Sequence, residues 1–411
     1  MGTKKWSLFE AYGIELEYMI VDKENLQIRP IADVVLKEVN GEISSDYENG
    51  EITWSNELVL HVIELKTTYP NGNLHTLAPL FHKNVEQINQ ILEKHNAQLM
   101  PGAMHPFMNP ETQTKLWPHD YNAVYALYNS IFNCKGHGWS NLQSTHINLP
   151  FKDDVEFEKL HAAIRILLPV IPALSASSPI VEGNNTHFKD YRLEVYRKNQ
   201  AKIPSLSGKI IPERAFSKEE YFDLIFSRVK QDIAPYDKDR ILDHHFLNSR
   251  GAIARFDRGS IEIRIIDIQE CPLADLAISE TIILTLKHLV EEKWCSLEEQ
   301  KKWVEDDLLT IFLRVIKAGE ETELENKQYA QLFNIKETKV KAKDVWNAIW
   351  KDIEKDYSSR EVANAAKIIM DTGTLSTRIL KYISNDFSTA NMHACYNKLI
   401  SCLKENKIFM P

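Results

Sequence analysis

Gly13-Ile14-Glu15-Leu16-Glu17-Tyr18 alternates apolar and acidic side chains with a period of two. On a β-strand, side chains two apart share a face, so Glu15 and Glu17 stand side by side while Ile14 and Leu16 face the other way. A solvated strand face accounts for this pair taken alone. The feature recurs along the chain. In Val62-Ile63-Glu64-Leu65-Lys66, Glu64 breaks an apolar run, with Glu57 seven residues earlier. Ser144-Thr145-His146-Ile147-Asn148-Leu149 sets Ser144, His146 and Asn148 on one face against aliphatics. Ser260-Ile261-Glu262-Ile263-Arg264-Ile265 sets Ser260, Glu262 and Arg264 against three isoleucines.

Four such strands argue against simple solvation, which lysine and threonine would serve better. Packed carboxylates repel unless a cation neutralises them. Mg²⁺ is the natural one, because it takes carboxylate oxygens at about 2.1 Å and bridges to substrate phosphates. Arginines supply the other ingredient. Arg192 and Arg197 in the 190–197 segment, with Arg255 and Arg258, offer planar forks for carboxylate or phosphoryl oxygens, although singly each also reads as a surface residue. The chain has no GxxxxGK[ST] loop, GxGxxG, HExxH or GxSxG. A nucleotide site must therefore be built from metals and side chains on a sheet.

Around these strands (14–21, 61–67, 144–149 and 260–267) the periodicity predicts helices over 74–96, 119–132, 154–168 and 218–232. Strands and helices do not alternate as βαβ units, which favours an antiparallel α+β sheet. After Pro272 the pattern turns helical, over 273–292, 297–318, 342–356, 360–371 and 390–405, and no strand is expected. The reading is a catalytic sheet over 1–270 and a mainly helical section over 271–411 packed on it as one structural unit.

Composition bounds the function. The 411 residues are 44% hydrophobic and 26% charged, ordinary for a soluble globular protein. A net charge of −9 argues against non-specific nucleic-acid binding. The five cysteines are irregularly spaced with no CxxC pair, as expected of reduced core thiols in a cytoplasmic protein. Met1-Gly2-Thr3-Lys4-Lys5-Trp6 has no apolar signal run and misses the myristoylation pattern at Trp6. The most apolar stretch, 164–181, contains Arg165 and three prolines and is too short and broken to span a bilayer.

Five motifs in order resemble the glutamate–cysteine ligase type 2 family and related carboxylate–amine ligases. They are Gly-Ile-Glu-Leu-Glu-Tyr at 13–18, Pro101-Gly102-Ala103-Met104-His105-Pro106-Phe107, the histidine strand at 141–149, Leu174-Ser175-Ala176-Ser177-Ser178-Pro179, and Gly259-Ser260-Ile261-Glu262-Ile263-Arg264. One departure is Ser-Thr-His-Ile-Asn where many members have His-Val-His-Val-Gly. The resemblance implies a curved antiparallel sheet of the glutamine-synthetase catalytic-domain type with flanking helices. It also implies ATP with two or three Mg²⁺ ions, Mn²⁺ being a substitute. Glu15, Glu17, Glu57, Glu64, His146 and Glu262 would form the metal shell, and His146, Arg197, Arg255 and Arg258 would attend the nucleotide. Arg264 would face the transferring phosphoryl group, and Arg192 would hold the substrate carboxylate.

The activity implied is ligation of a carboxylate to an amine through an acyl phosphate, with glutamate the leading acid and cysteine the leading amine. Its partners are small amino-acid and amine substrates, with neither nucleic acid nor membrane, and homo-oligomerisation is left open. Two rivals stand beside it: a guanidino-type phosphotransferase on the same superfold, and a metal- or ligand-binding homologue without activity.

Overall fold

The computed structural model describes residues 5–411; the reading of residues 1–4 as free of targeting signals lies outside them. Eight strands form one open antiparallel sheet. In chain order they are β1 (Gly13–Asp22), β2 (Asp46–Asn49), β3 (Ile52–Asn56), β4 (Val62–Thr67), β5 (Ala97–Met100), β6 (Ser144–Pro150), β7 (Ala252–Arg255) and β8 (Ser260–Asp267). Their spatial order is β2-β3-β4-β1-β6-β8-β7, and β5 pairs with the second half of β1. The four strands read from the sequence are the four central ones. Two of the others lacked an alternation to read: all four residues of β5 are buried, as are four of the five in β3.

The even residues of β1, from Ile14 to Ile20, enter a large core with the helices Leu77–Glu93, Asp154–Leu167 and Pro272–Val290. Burial of that continuous apolar surface is what layers helices on the sheet. The odd residues face the opposite side, and that side is treated in two ways. Met19 and Val21 meet the helices Leu375–Ile383 and Thr389–Glu405 in a second core with Met100, Ile379 and Tyr396. Glu15 and Glu17 lie beyond this roof, where side chains from the loops can converge on the sheet.

The ladder between β8 and β6 slips by one residue. Ile263 pairs with Ile147 but Ile266 with Thr145, so Arg264 and Ile265 together oppose His146. A bulge of this kind inverts the face on which later residues fall. Asp267 pairs with Ser144 and so joins the polar face; strict alternation from Glu262 would have put it among the isoleucines.

The C-terminal section departs from expectation in several places. Glu323–Leu324 and Val340–Lys341 form a two-stranded ladder, too short to leave a periodic signal. The helix expected over 297–318 breaks into Leu297–Lys301 and Glu305–Ala318, with Val304 extended at the second N-terminus. Lys327–Gln331 and Leu375–Ile383 are additional helices. No described helix is long and apolar enough to cross a membrane.

Candidate active site

The register places the acidic residues in one patch. Across β4, β1 and β6, Glu17 pairs with Glu64, and Glu15 with both Lys66 and His146; Glu262 on β8 lies opposite Asn148. Cross-strand partners share a face, so Glu15, Glu17, Glu64, His146 and Glu262 line one surface, as the sequence predicted. Glu57 joins them from the loop between β3 and β4. Two groups of donors each bring ligand atoms within 4.8 Å of one another: Glu15, Glu64 and His146, and Glu17, Glu57 and Glu64.

Hydrogen bonds stiffen the patch. His146 Nδ1 lies 2.8 Å from Glu15 Oε2, and its Nε2 lies 2.9 Å from Ser144 Oγ. Ser144 in turn donates to Glu17 Oε2 through its Oγ at 3.0 Å and its backbone N–H at 2.7 Å. Asn148 Nδ2 donates to Glu15 Oε1 at 2.9 Å. Lys66 Nζ sits 3.0 Å from Glu64 and donates to Ser55 Oγ at 2.9 Å. Arg264 Nε lies 3.0 Å from Glu262 Oε1, an ion-pair contact.

Protonation follows from this crowding. Burial and the neighbouring Glu17 and Glu64 push the Glu57 carboxyl well above its usual range. Burial also raises Glu17, outweighing the opposing charge of His146. Burial opposes charge on His146, yet the hydrogen bond to Glu15 and the charges of Glu17 and Glu15 lift its pKa to about 9. Burial would raise Glu15 too, but the bond from His146 holds it below the usual value. Carboxyls crowded closely enough to raise one another's pKa values fit Mg²⁺, a hard ion that takes oxygen donors.

The arginines divide. Arg264, Arg192 and Arg255 reach the patch, Arg255 Nη1 standing 4.0 Å from Glu262. Arg192 is buried and ion-paired with buried Asp267, so part of its guanidinium is already engaged. Arg197 instead pairs with Glu194, 2.7 Å away on its own helical turn. Arg258 is 63% exposed, 3.8 Å from Asp257 in the β7–β8 turn. Neither Arg197 nor Arg258 is brought to the carboxylates: their spacing within arginine-rich segments carried no information about which side the chain would present.

Beside the carboxylates opens a cavity of about 270 Å³, into which Glu17, Glu57, His146, Arg192 and Arg264 face. Its far wall is aromatic, built from Tyr125, Tyr128, Trp139, Tyr196 and Phe246. The helix Asn122–Phe132 supplies the first two rings, three residues apart and hence on one side. Trp139 follows in the short helix His137–Ser140, where its Nε1 donates to Asn199 O at 3.2 Å. A Cβ on Gly138 would stand 2.8 Å from Val195 O, so only glycine lets this turn approach the helix Tyr191–Tyr196. These rings escaped the sequence reading because they come from separate excursions. Lys66 was legible, two residues after Glu64 on the same strand face.

Residues 11–382 match the family model of glutamate–cysteine ligase family 2. The chain belongs to that family. An uncharacterised protein of Archaeoglobus fulgidus is 31% identical over 401 residues, 97% of this chain and 100% of the relative. Among solved structures, the glutamate–cysteine ligase of Francisella tularensis in complex with AMP superposes with a TM-score of 0.58 at 11% identity, covering 98% of this chain and 90% of that one. A bifunctional glutathione synthetase from Pasteurella multocida gives 0.59 at 12% identity, covering 96% of this chain and 52% of that one, so the chain spans about half of its length. At such identities the structural likeness is one of fold.

In this member of glutamate–cysteine ligase family 2, two of the quoted motifs brace the site from behind. Ser177 N–H and Ser178 Oγ both donate to Asp267 Oδ2 at 2.8 Å, holding the carboxylate that pairs with Arg192. His105 Nε2 lies 2.7 Å from Leu26 O, and burial drives the ring's pKa down to about 3, so a neutral imidazole pins the two loops together.

Proposed function

We propose that the protein is an ATP-dependent carboxylate–amine ligase of the glutamate–cysteine type, working on a sheet of the glutamine-synthetase catalytic-domain kind. The observation that carries this reading is the single sheet face on which Glu15, Glu17, Glu57, Glu64 and Glu262 meet His146 and Arg264. A carboxylate does not acylate an amine unaided, because it would have to expel an oxide. In the first step an oxygen of the substrate carboxylate attacks the γ-phosphorus of ATP, the bond to the β-phosphate oxygen breaks, and ADP leaves. In the second the amine nitrogen attacks the acyl carbon, the C–O bond to phosphate breaks, and the nitrogen sheds a proton.

Phosphoryl transfer asks the protein for position and charge more than for covalent help. Arg264 would stabilise charge on the moving phosphoryl group. Arg192, anchored by Asp267, would present its outer N–H groups to the carboxylate substrate. Glu15, Glu64 and His146, with Glu17, Glu57 and Glu262, would hold Mg²⁺. When bound there, Mg²⁺ supplies neutralisation of phosphate charge. Tyr125 and its neighbours screen the reacting atoms from water, which would otherwise hydrolyse an acyl phosphate.

Turnover of glutamate labelled with ¹⁸O in its γ-carboxylate tests the mechanism. With ATP and an accepted amine, one label is expected in the released phosphate. Unlabelled phosphate on a guanidino acceptor would establish the phosphotransferase. Release of AMP and pyrophosphate would mean adenylation, and no turnover with retained ligand binding would leave the inactive homologue.

A further inference from the structure

The aromatic wall of the cavity does more than exclude water. Its rings form a built surface: Tyr128 is only 4% exposed and stands 5.5 Å from Trp139 and 5.3 Å from Phe246 between ring centroids, both near-perpendicular. Phe246 is 48% exposed while lining the cavity, which puts it at the opening. The Tyr196 hydroxyl is spent on Ser249 O at 2.9 Å, so that ring too offers the cavity its apolar body.

Two buried acceptor oxygens on residues of this wall are unspent, Asn199 Oδ1 and Gln200 Oε1. Gln200 lines the cavity and is 1% exposed. Its Nε2 donates to Ser249 Oγ at 3.0 Å, which fixes the orientation of the amide. Its Oε1 is buried and has no hydrogen-bond partner among the described residues. A buried acceptor oxygen without a donor is costly to keep, and a ligand N–H would satisfy it. Arg192 and Arg264, which line the same cavity, suit anionic groups. The cavity thus offers both an anchor for an anionic group and a wall for an apolar body.

Resting on the ligase reading above, we infer that the aromatic wall lines the acceptor pocket and that the acceptor is a primary amine borne on an aromatic body, its N–H bonded to Gln200 Oε1. Edge and face contacts with the surrounding rings favour a flat ring. The thiol of cysteine or a short alkyl chain would leave most of the ring surface facing water. A site that hydrogen-bonds a donor on its substrate also rejects analogues lacking it.

The test uses the full chain with ATP, Mg²⁺ and glutamate in two stages. Hydroxylamine first traps acyl phosphate as a hydroxamate with no demand on the aromatic pocket. Absence of hydroxamate would sink the ligase reading, and the acceptor assignment with it. Where hydroxamate forms, ADP release is compared for 2-phenylethylamine, cysteine and ethylamine. The expected result is a kcat/KM at least tenfold higher for the aromatic amine, falling to near parity with ethylamine in Tyr125→Ala and in Phe246→Ala. Phe246 is exposed enough that folding tolerates the change. Gln200→Leu is expected to raise the KM for the amine about tenfold while kcat at saturation falls far less. Cysteine or ethylamine matching the aromatic amine, or a preference unmoved in both ring variants, would overturn the assignment while leaving the ligase standing.

Discussion

Arg264 is where one side chain carries most of the proposed chemistry. Leucine fills its space but cannot stabilise phosphoryl charge, so Arg264→Leu is expected to lower kcat by roughly 10²-fold or more. Steady-state kinetics check this; a raised KM at unchanged kcat would assign the residue to uniform binding instead. The carboxylates make a second, pH-dependent prediction. Burial and neighbouring charges raise the pKa values of Glu17 and Glu57, and the adjoining carboxylates raise that of His146. Ligands must shed protons to bind a metal, so Mg²⁺ uptake is expected to release protons and to tighten as pH rises towards 9. Titration calorimetry in buffers of different ionisation enthalpy reads the release directly, and identical heats in all buffers would refute it. The same raised values set the sign for stability. A group whose folded pKa is raised contributes stability that is full below its unfolded pKa and lost as pH rises through the folded one. For His146 that window runs from 6.5 to about 9, so the metal-free protein should melt at falling temperature across it. Glu15, held low, acts oppositely and only at acid pH.

Among the elements, the bulge in β8 decides the most. By turning Asp267 onto the polar face it lets Ser177, Ser178 and Arg192 converge on one buried carboxylate. Asp267→Asn removes the nearest counter-charge of the buried Arg192 guanidinium, leaving it only Asp190 and Glu17, and breaking a buried pair from one side costs about 3–5 kcal/mol. Urea denaturation is expected to show a loss of that size. Pairing it with Arg192→Leu should recover part of the loss, because no orphan charge remains; strictly additive losses would mean the two residues are not coupled. The excursion carrying Trp139 is held as tightly, since Gly138 admits no Cβ without moving the Val195 carbonyl.

At the scale of the whole molecule, the two sections of the chain are tied at their seam. Glu270 and Arg378 form an ion pair with both side chains fully buried, and Phe409 donates its N–H to Glu270 at 3.0 Å. The helices Leu375–Ile383 and Thr389–Glu405 roof Met19, Val21 and Met100. We therefore propose one cooperative unit in place of two domains. Thermal or urea unfolding is expected to give coincident transitions by far- and near-ultraviolet circular dichroism, and residues 1–270 alone should aggregate. Two separated transitions would show independent domains.

What the sequence determined by itself was local in kind. A period of two around Glu15, Glu64, His146 and Glu262 sets side chains on a face whatever the rest of the chain does, because strand geometry alone dictates it. The central strands and the carboxylate patch were legible for that reason. Tertiary structure decided everything that depends on pairing between distant segments. A bulge depends on the partner strand, so Asp267 could not be assigned its face in advance. The side on which Arg197 and Arg258 emerge depends on how their helix and turn dock. The aromatic wall of Tyr125, Trp139 and Phe246 exists only once three separate excursions pack against one another, and no periodicity within any one of them encodes that meeting.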